Sequence, residues 1–176
     1  MNKAVIDIET SGFSKKTNAI VEIGMIILDD NNECINEFEY LVKPYNRRNG
    51  KRCIYTKQAE AIHGVSITKL IDDGSPATSV AEMFMEVITH NDINTIIGHN
   101  IKRFDAPWIY DFMNQFGYEC EFSHIIDTLE LAKKRLPKLK SYSLTSVRDH
   151  LKITQTDQHR AIPDADVACE IWKRLR

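Results

Sequence analysis

The apolar positions open the chain with the signature of strands. Val5, Ile6 and Ile8 make a short buried run within residues 3–9, Ile20 to Leu28 a longer one, and Cys34 to Val42 a third with period-two alternation. Asp29-Asp30-Asn31-Asn32 is a hairpin turn signal between the second and third. These three runs predict an antiparallel meander. Lys43 to Tyr55 is a polar connection, Lys57 to His63 reads as a short helix stopped by Gly64, and Ser66 opens another helical turn. Over residues 78–90 the period changes, with Val80, Met83, Phe84, Val87 and Ile88 at helical spacing. Thr95 to Gly98 is a short apolar strand, and Phe104 to Phe116 is helical up to Gly117. Ile125-Ile126-Asp127-Thr128 reads as a last strand running into a helix to Leu136, stopped by Pro137. Ser143 begins a helix towards His150, Thr154 to Arg160 is an aperiodic polar loop, and Pro163 is expected to start the final helix as a proline at a first helical position. Strands first, then helices alternating with strands, predict a single α/β domain over 1–176. Its mixed five-stranded sheet opens with the antiparallel meander and is flanked by helices.

Composition narrows the class. At 176 residues the chain is long enough for one domain with its own core. No apolar run approaches the ~20 residues of a membrane span, and the first strand begins too early for a signal or transit peptide in front of it. Cys34, Cys53, Cys120 and Cys169 are far apart in sequence, which argues for reduced thiols in a cytoplasm rather than a zinc site or disulfide framework. The net charge of −2 argues against a broad, sequence-blind duplex binder. Local basic clusters remain around Arg47, Arg48, Lys51 and Arg52, and around Lys133, Lys134, Arg135, Lys138 and Lys140. Either is a solvated face by default, and either could track a phosphate backbone near a reactive site.

The chemistry begins at Asp7 and Glu9. Residues i and i+2 of a strand point to one face, so two carboxylates sit side by side at the end of an apolar strand. Like charges that close repel unless a cation lies between them, and a divalent metal is the simplest reason to build the pair. Gly12 is expected to turn the chain and leave room for a ligand at the backbone. Asp105 falls after a strand in the first turn of a helix, and Asp164 near the start of the last helix. Each alone reads as a helix cap kept ionised by the macrodipole. His159 alone reads as a solvated loop histidine. Together, four acids and one loop histidine meet the needs of two-metal phosphodiester hydrolysis, with Mg²⁺ or Mn²⁺ on hard oxygen ligands. An imidazole, ordinarily near pKa ~6.5, can take the proton of the attacking water.

These motifs resemble the DnaQ-like 3′–5′ exonucleases of the DEDDh group, the family of the DNA polymerase III epsilon subunit, RNase T and oligoribonuclease. Asp7-Ile8-Glu9-Thr10-Ser11-Gly12-Phe13 resembles the first exonuclease motif, and Ile62-His63-Gly64-Val65 the segment between motifs. Gly98-His99-Asn100 with Phe104-Asp105 resembles the second, and His159 with Asp164 the third. A tyrosine version of the third motif would need Tyr where Arg160 stands, so the histidine subgroup fits. The resemblance implies a ribonuclease H-like fold. It makes Asp7, Glu9, Asp105 and Asp164 ligands of two metals and His159 the general base. Thr10, Gly12, Phe13, Val65, Asn100 and Phe104 would then hold the terminal nucleotide. Asp127 reads as a helix cap, and Asp166 points away from the face of Asp164.

The implied activity is 3′–5′ hydrolysis of single-stranded ends to nucleoside 5′-monophosphates, with DNA ahead of RNA. Two alternatives stay open: a proofreading subunit bound to a DNA polymerase, and a catalytically inactive nucleic-acid-binding protein. The epsilon subunit's tethering uses a further C-terminal segment, which argues here for a stand-alone enzyme. Both a monomer and a homodimer fit, with no spare hydrophobic face in the pattern. The loop carrying His159 is expected to be mobile before substrate binds.

Overall fold

The computed structural model describes residues 1–154 and 159–176. Strands β1 (Lys3–Thr10), β2 (Ile20–Leu28) and β3 (Cys34–Leu41) form the expected meander, and β4 (Thr95–Gly98) and β5 (His124–Asp127) complete one sheet in the order β3-β2-β1-β4-β5. β1 is central. It pairs antiparallel with β2 and parallel with β4, and β4 pairs parallel with β5. This is the mixed sheet of a ribonuclease H-like fold. The C-terminal ends of β1, β4 and β5 lie at one edge, the usual place for a ligand in a sheet with parallel strands.

Helices cover both faces. Ala4, Ile6 and Ile8 of β1 pack with Val80, Phe84, Ile109 and Phe112 of α3 (Ala77–His90) and α4 (Asp105–Gln115). On the other face, Val5, Ile26, Leu28 and Ile97 meet Ala165, Ala168, Cys169 and Trp172 of α7 (Ala161–Leu175). Behind α7, Ala132 of α5 (Thr128–Arg135) and Val147 of α6 (Leu144–Leu151) close a further cluster with Val167 and Ile171. The short α1 (Lys57–His63) and α2 (Ile67–Asp73) rest on Val21 through Val65 and Leu70. β3 is an edge strand, with only Phe38, Tyr40 and Leu41 partly covered.

The caps are written locally. Thr56, Ser66 and Ser143 each accept a backbone N–H with the side chain at the start of α1, α2 and α6, and Asp127 does so for α5. The start of the last helix differs from the sequence reading. α7 begins at Ala161, not at Pro163. Proline is tolerated anywhere in the first turn because the N–H groups there lack helical partners, so it marks the turn and not the first residue. Ile62, Ile67 and Ile71 of α1 and α2 are exposed, so apolar side chains do remain on the surface. Among the described residues, no helix is long and apolar enough to cross a membrane.

Candidate active site

The register of β1 sets the site. Asp7 lies opposite Gly24 and Glu9 opposite Glu22, and all four positions belong to the face that α7 covers. α7 brings Asp164 over this pair in its first turn. Carboxylate oxygens of Asp7, Glu9 and Asp164 lie within 4.8 Å of one another, the one such group of potential metal ligands among the described residues. Asp105 stands beside it and is 2% exposed, with Oδ1 accepting the Ile8 N–H at 3.1 Å. The structure thus gathers three predicted ligands directly, and Asp105 reaches the same strand from α4.

The electrostatics are those of uncompensated acids. Burial, then Asp105, Glu9, Asp164 and Glu22, hold the Asp7 carboxyl well above the usual carboxylate range. Burial and the same kind of neighbours push Glu9 up to about 8, with Arg160 opposing. Asp105 is pushed up to about 7 by burial, against the backbone N–H bonds it accepts. Asp164 is also raised by burial, with His159, its N–H and Arg148 pulling down. The expected ionising effect of a helix N-terminus is therefore outweighed by burial at both aspartates. A divalent cation would remove the repulsion, and an all-oxygen donor set suits Mg²⁺ or Mn²⁺. The residues fit such ions.

His159 is exposed, in the left-handed region at φ 57°, and its main-chain N–H donates to Asp164 Oδ2 at 3.2 Å. Residues other than glycine seldom take that conformation, histidine more readily than most, and the bond to Asp164 helps hold it. The expectation of a mobile loop falls mainly on residues 155–158, which lie outside the described residues. Asn100 also sits at positive φ, 61°, and its N–H donates to Asp127 Oδ1 at 2.9 Å. Asp127 accepts from Lys102 and Leu129 as well, so the cap also orders the loop that leads to Asp105. His99 is engaged with Thr128 Oγ1 and the Tyr142 carbonyl.

The other predicted residues differ in accessibility. Phe13 is 81% exposed. Thr10 is buried and its hydroxyl donates to the Gly12 carbonyl. Gly12 does not open space for a ligand as expected: a Cβ there would lie 2.6 Å from Asn18 Nδ2, so the missing side chain makes room for Asn18. Val65 is buried against Val21 and Leu70, and Phe104 packs partly on the core beside Trp108. Asp166 is exposed and outside the carboxylate group, as its helical offset requires. Of the basic clusters, Arg47 pairs with Asp111 and Arg135 donates to the Leu175 carbonyl, while Lys138 and Lys140 line a groove of about 600 Å³.

One buried ion pair escaped the sequence reading. Glu22 is fully buried on β2, and both its oxygens accept from Arg160. The available signal was a lone acid in the apolar run Ile20 to Leu28, a position that costs too much to keep without a partner.

The RNase T family model, described as an exonuclease, matches residues 4–172. The chain belongs to this exonuclease family. The exonuclease domain is 34% identical over 170 residues to the PolC-type DNA polymerase III of Clostridium perfringens, covering 96% of this chain and 11% of that protein. It is 28% identical over 184 residues to the 3′-5′ exonuclease DinG of Bacillus subtilis, covering 100% of this chain and 18% of that protein. The domain therefore spans a small part of the curated relatives it matches. Among solved structures, E. coli exonuclease I in complex with a dT13 oligonucleotide superposes with a TM-score of 0.84 at 18% identity. That match covers 98% of this chain and 40% of the other, and shows a shared fold.

Proposed function

We propose that the domain is a 3′–5′ exonuclease that uses divalent metal to hydrolyse single-stranded DNA ends to nucleoside 5′-monophosphates, with RNA as the lesser substrate. The observation that carries this is the convergence of Asp7, Glu9 and Asp164, with His159 bonded to the last of them. In this reading Asp7, Glu9, Asp105 and Asp164 hold two Mg²⁺ or Mn²⁺ ions. Bound there, the ions supply positive charge to the attacking and leaving oxygens of the phosphodiester. His159 is the general base that accepts the proton of the attacking water. The ring of Phe13, free of the core, stacks on the terminal base without regard to sequence. Thr10 and Gly12 shape the backbone beneath that nucleotide, and Val65 supports the wall through its packing. Asn100 and Phe104 border it from the loop that Asp127 orders.

The likeness to exonuclease I in complex with an oligonucleotide supports a single-stranded DNA end as substrate. The 34% identity to a PolC-type polymerase supports a second reading, in which the same activity proofreads in company with a DNA polymerase. An inactive binding protein is disfavoured because every chemical position is filled. A cytoplasmic location accords with the four free cysteines. The test is a time course on 5′-labelled single-stranded DNA and RNA of one sequence, with Mg²⁺, Mn²⁺ or EDTA. We expect a metal-dependent ladder shortening from the 3′ end, faster on DNA. Intact substrate with both metals in a folded sample would refute the enzyme reading, and activity that appears only with added polymerase would favour the second.

A further inference from the structure

We propose that Arg160 is a positioning residue that acts through His159, gripped by a seat built for it on β2 and β3. The seat rests on two independent observations. The first is a fork of charge. Arg160 Nε donates to Glu22 Oε1 at 2.9 Å and Oε2 at 3.1 Å, and its Nη2 donates to Oε1 at 2.6 Å and to Glu39 Oε1 at 3.1 Å. Glu22 Oε2 also accepts the Ala161 N–H at 3.3 Å, so a single buried carboxylate holds both the side chain and the start of α7. A bidentate pair of this kind constrains direction as well as distance.

The second observation is clearance. One pleat along from Glu22, a Cβ on Gly24 would lie 2.4 Å from the Ala161 carbonyl carbon and 2.6 Å from the Ile162 nitrogen. The backbone that follows Arg160 lies directly on β2, and only glycine permits it. Glu22-Ile23-Gly24 is therefore a docking surface for residues 160–162, opposite Glu9 and Asp7 on the neighbouring strand. Asp164 rides on the seated helix. His159 sits one residue outside it, at φ 57°, so its direction depends on how rigidly Arg160 is held. A small misplacement of a reacting group is costly in rate. The guanidinium also favours the ionised form of Glu9, and the experiment must separate that influence from positioning.

The inference rests on the proposed role of His159 as base. The test uses the full chain as wild type, Arg160→Met, Arg160→Lys, His159→Ala and the His159→Ala/Arg160→Met pair. kcat and KM are measured on a labelled oligonucleotide with Mg²⁺, Mn²⁺ affinity by calorimetry without substrate, and folding by thermal melts. Arg160→Met should lower kcat roughly 10–100-fold, with KM and Mn²⁺ affinity nearly unchanged, and Arg160→Lys should recover part of the loss. The double variant should be no slower than His159→Ala alone, because Arg160 has nothing left to position. Losses that multiply, or Mn²⁺ affinity that falls in step with kcat, would overturn the proposal. If Arg160→Met does not fold, the same cycle is run with Arg160→Lys, which keeps a cation against Glu22. Wild-type turnover in His159→Ala would instead remove the base assignment on which the inference stands.

Discussion

Replacing Glu9 by glutamine removes one charge from the cluster and keeps the shape of the side chain, so its effect on stability should reverse with metal. Burial and the nearby Asp164, Glu22 and Asp105 carboxylates lift Glu9 from an ordinary 4.5 to about 8. An acid whose folded pKa lies above its unfolded value holds its proton more tightly in the folded state. The stability it contributes is complete below 4.5 and is lost as the pH climbs to about 8. At about 1.36 kcal/mol for each tenfold, the interval bounds the loss at roughly 5 kcal/mol, and solvent screening of this half-buried group reduces our figure to roughly 2–3 kcal/mol. In a domain of this length that is roughly 4–12 °C in melting midpoint. Glutamine carries no such term. In EDTA, Glu9→Gln should melt above the wild type at about pH 8.5 and lose that advantage towards about pH 4.5. With saturating Mn²⁺ the order should invert, because only the intact cluster gains the full binding free energy. Thermal melts followed by circular dichroism at both pH values, with and without Mn²⁺, give all the comparisons required. An advantage that grows towards acid, or equal midpoints in EDTA at the alkaline pH, would refute the electrostatic account.

Asp7→Asn should abolish turnover while the protein stays folded in EDTA, and near-normal hydrolysis would remove Asp7 from the metal site. His159→Ala should lose roughly 10²–10⁴-fold in rate and retain Mn²⁺ binding by calorimetry, so a lost binding isotherm would make it a ligand and not a base. Gly24→Ala should cost roughly 1–3 kcal/mol in urea unfolding, because its Cβ meets the backbone at Ala161 and the helix must shift. Asp127→Ala should cost roughly 1–3 kcal/mol through the Asn100, Lys102 and Leu129 N–H groups it leaves unpaired, a loss read from the same denaturation curves.

Most of this architecture was legible because its signals are local. The apolar run of β2, the hairpin signal after it, and the caps at Ser66, Asp127 and Ser143 each specify an element through the residues beside it. The pairing of Asp7 with Glu9 was legible for the same reason, since a strand's period of two needs no tertiary information. What was missed is long-range. Glu22 and Arg160 are 138 positions apart, and nothing near either names the other. Gly12 reads the same in sequence whether its empty side is meant for a ligand or for Asn18, and only packing decides. The charge state of Asp105 likewise follows from burial beneath β1, which a helix-cap argument does not contain.

β1 supplies Asp7 and Glu9 first among the carboxylates of the group, while Asp164 and the α7 that seats it come last. At ~5–20 residues per second, a ribosome carries the first pair for roughly 8–30 s before the last carboxylate is made. During that interval the nascent chain holds an incomplete set of carboxylates. The carboxylate group of this exonuclease is therefore complete only once its covering helix has emerged and docked.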